Sequence, residues 1–421
     1  MQTISLRYGG QVLSLRLPAS LKVDVLSPKS LTDAAASGEP LILNALKNPI
    51  DSPSLKDLVT RRMQVAVVID DATRPTPIHL MLPPILRELE QAGLAKKQIK
   101  IVIALGTHRP MNSIEVRARL GAAIASTYTV VNVDCEEKKQ FHFKGETTGG
   151  VPAWVNRTVA EAELVIGLGL IVPHTDTGFS GGAKIVLPGV CALETIKAFH
   201  ALQVGGPPVR LGNEMAPLRL EMERFVAEKT LLDFILNVIL DGDEKIYAAV
   251  AGHYVGAHRQ GCRIAKAVYG IPVKKKYPIV IANAYPAQND LWQSTKALSS
   301  AVPITSPGGH LILLAHCREG LGTHPHYAEY IRQSPETLMK LLAEGDPADP
   351  VACALAVDIA RIKEGLNISV VSSGLSAADA KTMAFTYFKT LENAVQTACK
   401  QSGASSVGII THGGVCWPYM D

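Results

Sequence analysis

The sequence predicts an α/β protein of two units, each built on a largely parallel sheet covered by helices. Three observations predict it. The chain has 421 residues, more than one compact core ordinarily serves. Short continuous apolar runs alternate with helical patterns, which is how strands buried on both faces read. The alternation also stops near residue 270 and restarts after a basic stretch that carries glycine and proline.

The elements follow in order. "TISLRYGGQVLSLRLP" alternates apolar and polar residues around Gly9-Gly10, a hairpin pattern. "SPSLKDLVT" reads as a helix opened by Ser52, with Pro53 at its first position. "QVAVVI" (64–69), "IKIVIAL" (99–105) and "ELVIGLGLIV" (163–172) read as buried parallel strands, with the helix "IHLMLPPILRELEQAGL" between the first two. "VYGIPVKKKY" is the expected hinge. Beyond it, "YPIVIANA" (277–284), "GHLILLAH" (309–316), "NISVVSS" (367–373) and "SVGIITH" (406–412) read as four more strands. Helices are expected in "DLWQSTKALSSA", "DPVACALAVDIARIKEG" and the whole of "SAADAKTMAFTYFKTLENAVQTACKQSG". The expected division is residues 1–270, a hinge at 271–276 and a second unit at 277–421, with "GGVCWPYMD" a candidate to pack back on the first unit.

Composition narrows the function. The formal charge is only +4 and "KKKY" is the one dense basic run, so the basic stripe of a nucleic-acid protein is missing. The longest apolar run, "LVIGLGLIVP", is too short to span a bilayer. Seven scattered cysteines form no CxxC pair, and "MQTISLRYGG" has no apolar signal core. A cytoplasmic protein with reduced thiols is expected.

Ligands of open parallel sheets bind at the carboxyl ends of the strands. Four strand ends here run into "DDATRPTP", "GTHRPM", "PHTDTGFSGGAK" and "YPAQNDLWQSTK". They carry Asp71, Thr73, Arg74, His108, His174, Lys184, Gln293 and Lys296. Two histidines titrating near neutrality can trade acid and base roles, one for each face of a carbon that inverts. Arg74 and Lys296 can clamp a carboxylate, and Gln293, three residues before Lys296, points into the same space. Trp292 is either a pocket wall or core packing.

"GFSGGAK" has neither P-loop nor GxGxxG spacing. Its glycines still allow backbone amides to approach a phosphate, and Lys184 can neutralise an anion or act as an amine nucleophile. The other reading is a tight turn. His200 shares a helix face with Ile196 and, taken alone, reads as a core histidine; no HxxxH or CxxC stands near it. It makes sense as a metal ligand only if a cofactor supplies the other donors. His324 and His326 of "HPH" could bind a metal but, bounded by proline in a loop, read as bystanders, and His253 and His258 as side chains that diverge.

Taken together, "DDATRPTP", "GTHRPM", "HTDTGFSGGAK" with "IVLPGV", the "FH" ending at His200 and "QSTK" at 293–296 resemble the nickel-dependent lactate racemase family, in the same order along most of the chain. The resemblance implies an isomerase that inverts C2 of a 2-hydroxy acid, with its site in the cleft between the units. The implied cofactor is a nickel-pincer nucleotide, pyridinium-3,5-bisthiocarboxylic acid mononucleotide, joined covalently or otherwise at Lys184. His200 would be the one protein ligand to nickel, and His108 and His174 the acid/base pair. Arg74, Gln293 and Lys296 would hold the substrate, with Trp292 beside them. Asp71, Thr73, Thr177, Gly178, Ser180, Gly181 and Gly182 would organise or contact the cofactor. Cofactor-maturation enzymes are the expected partners. Two positions depart from the family pattern: Trp292 stands where a tyrosine is usual, and the second unit has no counterpart of the family's tryptophan near the substrate. Both bear on the substrate side chain, so the expectation stops at the class of 2-hydroxy acids. One rival is a nicotinamide-dependent dehydrogenase, which the lack of GxGxxG disfavours. The other is a non-catalytic carrier or storage protein for the nickel nucleotide.

Overall fold

A computed structural model of the chain describes residues 1–30, 38–202, 211–345 and 347–421. Strands β1 (Gln2–Tyr8) and β2 (Gln11–Leu17) form the expected antiparallel hairpin, and β3 (Lys22–Leu26) follows. The first large sheet begins with β4 (Val65–Asp70), β5 (Ile99–Ala104) and β6 (Thr129–Asn132). A ribbon of β7 (Phe141–Glu146) and β8 (Pro152–Asn156) precedes β9 (Leu164–Leu170). A two-residue ladder of β10 (Pro173–His174) and β11 (Gly178–Phe179) comes next, then β12 (Phe234–Leu240) and β13 (Ile246–Gly252). The sheet order is β13-β12-β9-β4-β5-β6, parallel except for β13. Every residue of β9 and β12 is buried, which is why these strands are nearly continuous in apolar residues, Asn237 apart, rather than alternating.

The second unit opens with β14 (Gly270–Val273) and β15 (Tyr277–Asn283), followed by β16 (Thr305–Leu314), β17 (Asn367–Val371), β18 (Thr386–Phe388), β19 (Ser406–Ile410) and β20 (Trp417–Met420). Its sheet runs β18-β17-β16-β15-β19-β3, parallel throughout. The expected fold class therefore holds.

The order along the chain does not match the expected division at residue 270. β3 is an edge strand of the second sheet, paired with β19 from Lys22↔Ser406 to Leu26↔Ile410. The hairpin goes with it: Leu6, Leu15, Leu17 and Leu21 share one core with Ile279, Ile281, Val407 and Ile409. Gly9, at φ 59°, lets the hairpin turn approach the His316 ring, where a Cβ would lie 2.2 Å from a ring carbon. The stretch expected as hinge starts inside a strand, because β14 pairs with β20. The closing residues thus add a parallel strand at the junction.

Local chemistry explains smaller differences. The short helix Leu55–Leu58 is preceded by Ser54 rather than Ser52. The helix expected over 291–301 breaks at Thr295 into Leu291–Ser294 and Lys296–Ala301, and the Asp290 carboxylate caps the first piece. The long helical reading after residue 374 divides into helices Ala377–Thr382 and Leu391–Ser402 around β18. Among the described residues, no helix is long and apolar enough to cross a membrane.

Leu15 is fully buried, so Leu15→Ala should destabilise the second unit by about 2–5 kcal/mol. Denaturant unfolding followed by circular dichroism checks this; a change below about 0.5 kcal/mol would contradict the packing described.

Candidate functional site

A cavity of about 160 Å³ lies at the carboxyl ends of β4, β5 and β9. The first unit lines it with Asp71, Arg74, His108, His174, Lys184 and His200, and the second with Trp292, Gln293 and Lys296. All the strand-end residues singled out from the sequence, except Thr73, thus meet in one place. Thr73 stands just behind, with its hydroxyl and amide donating to Asp71 Oδ1 at 2.6 and 3.0 Å.

The centre of the arrangement is the Gln293 amide. Its Oε1 accepts from Lys296 Nζ at 2.6 Å and from Arg74 Nη1 at 3.1 Å. Its Nε2 lies 3.0 Å from His108 Nε2. On the other side of that ring, His108 Nδ1 lies 2.5 Å from Asp71 Oδ2. Burial pushes the Asp71 carboxyl up, but the His108 charge and hydrogen bond and the nearby Arg74 outweigh it and hold Asp71 below the usual carboxylate range. A carboxylate at Nδ1 and an amide donor at Nε2 set one tautomer, with the proton on Nδ1 and a lone pair on Nε2. The Gln293 amide occupies that lone pair.

His174 is held differently. Its Nδ1 accepts the Asp176 amide at 3.2 Å, which places the proton of the neutral ring on Nε2. Burial first, then the charges of Lys184, Lys296 and Arg74, push His174 well below its ordinary range. The same causes act on the lysines: burial and Arg74 bring Lys184 down to about 7, and burial, Arg74 and Lys184 push Lys296 well down. Like charges gathered in a water-poor cavity suppress one another's protonation. An anion placed among them would restore it.

His200 ends the helix Leu193–Ala201. Burial, the largest influence, brings it down to about 4. Its Nδ1 is buried without a hydrogen-bond partner. A neutral imidazole with an unused nitrogen at a cavity wall is a metal-ready donor. No group of three or more His, Cys, Asp or Glu among the described residues could hold a metal, so a metal here must bring most of its own donors.

The glycine-rich turn departs from expectation. A short 3-10 turn, Gly182–Ile185, follows it instead of a helix. Its amides are mostly engaged within the protein: Ser180 N with Val172 O, Gly182 N with Asn237 Oδ1, and Lys184 N with Gly181 O. Ser180 and Gly181 line the cavity, but Thr177, Gly178 and Gly182 are not among the residues that do. The Thr177 hydroxyl donates to Phe179 O at 2.8 Å, and a Cβ at Gly178, whose φ is 69°, would sit 1.8 Å from Asn213 O. These two residues shape the turn. Lysine and arginine charge, more than a nest of amides, makes this cavity anion-seeking.

Several residues of the site escaped the sequence reading. Arg219, fully buried, donates to the carbonyls of Gly181 and Phe179, and His258 Nε2 bonds Ser180 O at 2.9 Å. Together they satisfy the carbonyls of the turn. Asn237 is a polar residue inside the apolar run "FILNVIL", and that interruption was a usable signal. The wall from the helix Pro350–Gly365 is Leu355, Asp358 and Ile359, with no aromatic residue. Trp292 is half-buried and faces the cavity while stacking on His324 at 4.0 Å. Both alternatives for Trp292, wall and packing, therefore apply.

Fold and cavity define a two-unit α/β protein with histidines, lysines and an arginine gathered in a pocket at parallel strand ends. Residues 8–212 match the model of the lactate racemase N-terminal domain, and residues 273–416 that of the lactate racemase C-terminal domain. The chain belongs to the lactate racemase family, and with it to the isomerases. It is 30% identical over 406 residues to a lactate racemase from Thermoanaerobacterium thermosaccharolyticum, covering 94% of each chain. It is 32% identical over 294 residues to a lactate racemase from Lactiplantibacillus plantarum, covering 69% of each. The solved lactate racemase apoprotein from T. thermosaccharolyticum superposes with a TM-score of 0.87 at 28% identity, over 99% of this chain and 100% of that one. A Thermotoga maritima protein shares the fold, with a TM-score of 0.73 at 20% identity, over 92% of this chain and 100% of that one.

In protein free of cofactor, a small amine-acylating reagent should modify Lys184 with a rate that inflects near pH 7, where the buried amine loses its proton. Peptide mass analysis across pH reads this directly. An inflection near the ordinary lysine value of 10.5 would contradict the crowding of charge described.

Proposed function

We propose that the protein is a racemase or epimerase of 2-hydroxy acids that inverts C2 by transient hydride transfer to a nickel-pincer nucleotide. The observation that carries the reading is the convergence of Arg74, Lys296 and His108 on Gln293, with His174 and Lys184 in the same cavity.

The residues fit the implied cofactor. His200 offers an unused buried nitrogen, as a single protein ligand to nickel would. Lys184, with an amine near neutrality, is a nucleophile suited to a covalent link. Lys184, Lys296 and Arg74 supply the charge that a phosphate and carboxylates need. When bound, the nickel nucleotide supplies a two-electron acceptor for the hydrogen of C2.

The protein's own residues do the rest. Arg74 and Lys296, already aimed at one oxygen of Gln293, bind the substrate carboxylate and fix C2 relative to the histidines. His108, its proton held on Nδ1 by Asp71, takes the hydroxyl proton of one enantiomer at Nε2. His174, held neutral by burial and neighbouring cations, serves the other enantiomer with its ring proton moved to Nδ1, toward the Asp176 carboxylate 3.7 Å away. Loss of the C2 hydrogen leaves a planar 2-keto acid, and return to the opposite face inverts the centre. A carrier for the nickel nucleotide would need neither an oriented base nor a carboxylate clamp. We further propose a cytoplasmic setting, in keeping with seven unpaired cysteines, and maturation enzymes as partners in loading the cofactor.

His200→Ala should lose nickel from protein co-expressed with cofactor-making enzymes, while His108→Ala and His174→Ala should keep nickel and lose at least about 100-fold in inversion rate. Metal analysis and chiral chromatography check these. Full nickel in the first variant, or near-normal turnover in either of the others, would defeat the corresponding role.

A further inference from the structure

His324 belongs to the "HPH" loop, whose histidines read from sequence as bystanders. It is only 5% exposed, whereas its neighbour His326 is on the surface. Its ring is fixed on three sides. Nδ1 lies 2.6 Å from Asp349 Oδ2. Nε2 lies 2.9 Å from Thr107 Oγ1, in the other sequence unit and immediately before His108. The ring face stacks on Trp292 at 4.0 Å with a 28° interplanar angle.

Each contact reaches something that the site uses. Asp349 also caps the helix Pro350–Gly365, accepting the Ala352 amide at 3.0 Å, so His324 is anchored to the element whose Leu355 and Ile359 line the cavity. Thr107 lines the cavity and carries His108. Trp292 precedes Gln293 and meets Tyr327 edge-on at 4.8 Å. His324 itself does not line the cavity. It therefore acts through its neighbours.

We propose that His324 is a positioning residue that clasps the second unit to the Thr107–His108 loop and holds Trp292 upright as the wall against which the substituent at C3 of the substrate rests. The proposal rests on the racemase reading for its kinetic consequence but not for its geometry. Asp349 and Thr107 fix the ring by hydrogen bonds at opposite nitrogens, and a fixed ring fixes the indole stacked on it. Cross-unit links of this kind set the closed arrangement that excludes water from a hydride-transfer site.

The test uses nickel-loaded wild type with His324→Asn, which keeps reach to Asp349 but not to Thr107, and Thr107→Val, which removes the same link from the other side. KM and kcat are measured for lactate and for a bulkier 2-hydroxy acid, with nickel per chain and thermal midpoint alongside. Acrylamide quenching of Trp292 is read in a Trp154→Phe/Trp417→Phe background, where it is the one indole left. Both variants should raise KM by about tenfold or more and change the ratio of the two substrates. Nickel content should stay at the wild-type level, and Trp292 should become at least about twofold more quenchable as the wall loosens. Unchanged KM, unchanged substrate ratio and unchanged quenching in both variants overturn the proposal. So does a loss confined to thermal midpoint and nickel content, which marks a merely structural residue. Quenching needs no turnover, so it judges the clasp even where the racemase reading fails.

Discussion

Gln293 does two things that only an uncharged amide combines. Its oxygen accepts from Arg74 and Lys296, and its nitrogen meets the unprotonated side of His108. A carboxylate here would neutralise the cations that the substrate must find, and a cationic side chain would offer no acceptor. The same amide joins a loop after β4, a loop after β5 and a helix of the second unit. In the proposed mechanism this amide sets the carboxylate clamp and the base relative to each other, as inversion would need.

Around that amide the cavity gathers several basic groups. Arg74, Lys184 and Lys296 stand with His174 within one set of walls, and burial makes each protonation unfavourable to the next. The lowered amines and imidazole follow from this crowding. It is stable as a resting state because the groups give up protons. It also makes the cavity a selective receiver of anions, since phosphate or carboxylate lets those protons return. His200 stands apart with an unused nitrogen, and among the described residues no preformed metal cluster surrounds it. Behind it, Arg219 and His258 hold the turn carbonyls. The proteins this chain resembles along nearly its whole length are lactate racemases, and the pattern of charge is what such chemistry asks of a protein.

Much of this was legible in the sequence, for a definite reason. Parallel strands buried on both faces leave continuous apolar runs, so their carboxyl ends can be found and the polar residues after them collected. Asp71, Arg74, His108, His174 and Lys184 emerged in that way. Pairing order is not written locally, so nothing in "KVDVL" showed that β3 crosses to an edge of the second sheet. The turn around "GFSGGAK" was read for its glycines, but the partners that occupy its amides, above all Asn237, lie far along the chain. His324 was passed over because a histidine between loop prolines and glycines is usually solvated; its burial comes from Asp349, Thr107 and Trp292, which only the folded chain brings together.

The most direct test of the account follows the fate of the C2 hydrogen. The protein, matured with cofactor-making enzymes, is given single-enantiomer 2-hydroxy acids in D2O, and chirality and C2 deuterium are read by chiral chromatography with mass detection. The account predicts inversion with the original hydrogen retained at C2. Inversion with deuterium entering C2 would mean direct proton abstraction and would contradict hydride transfer in this site.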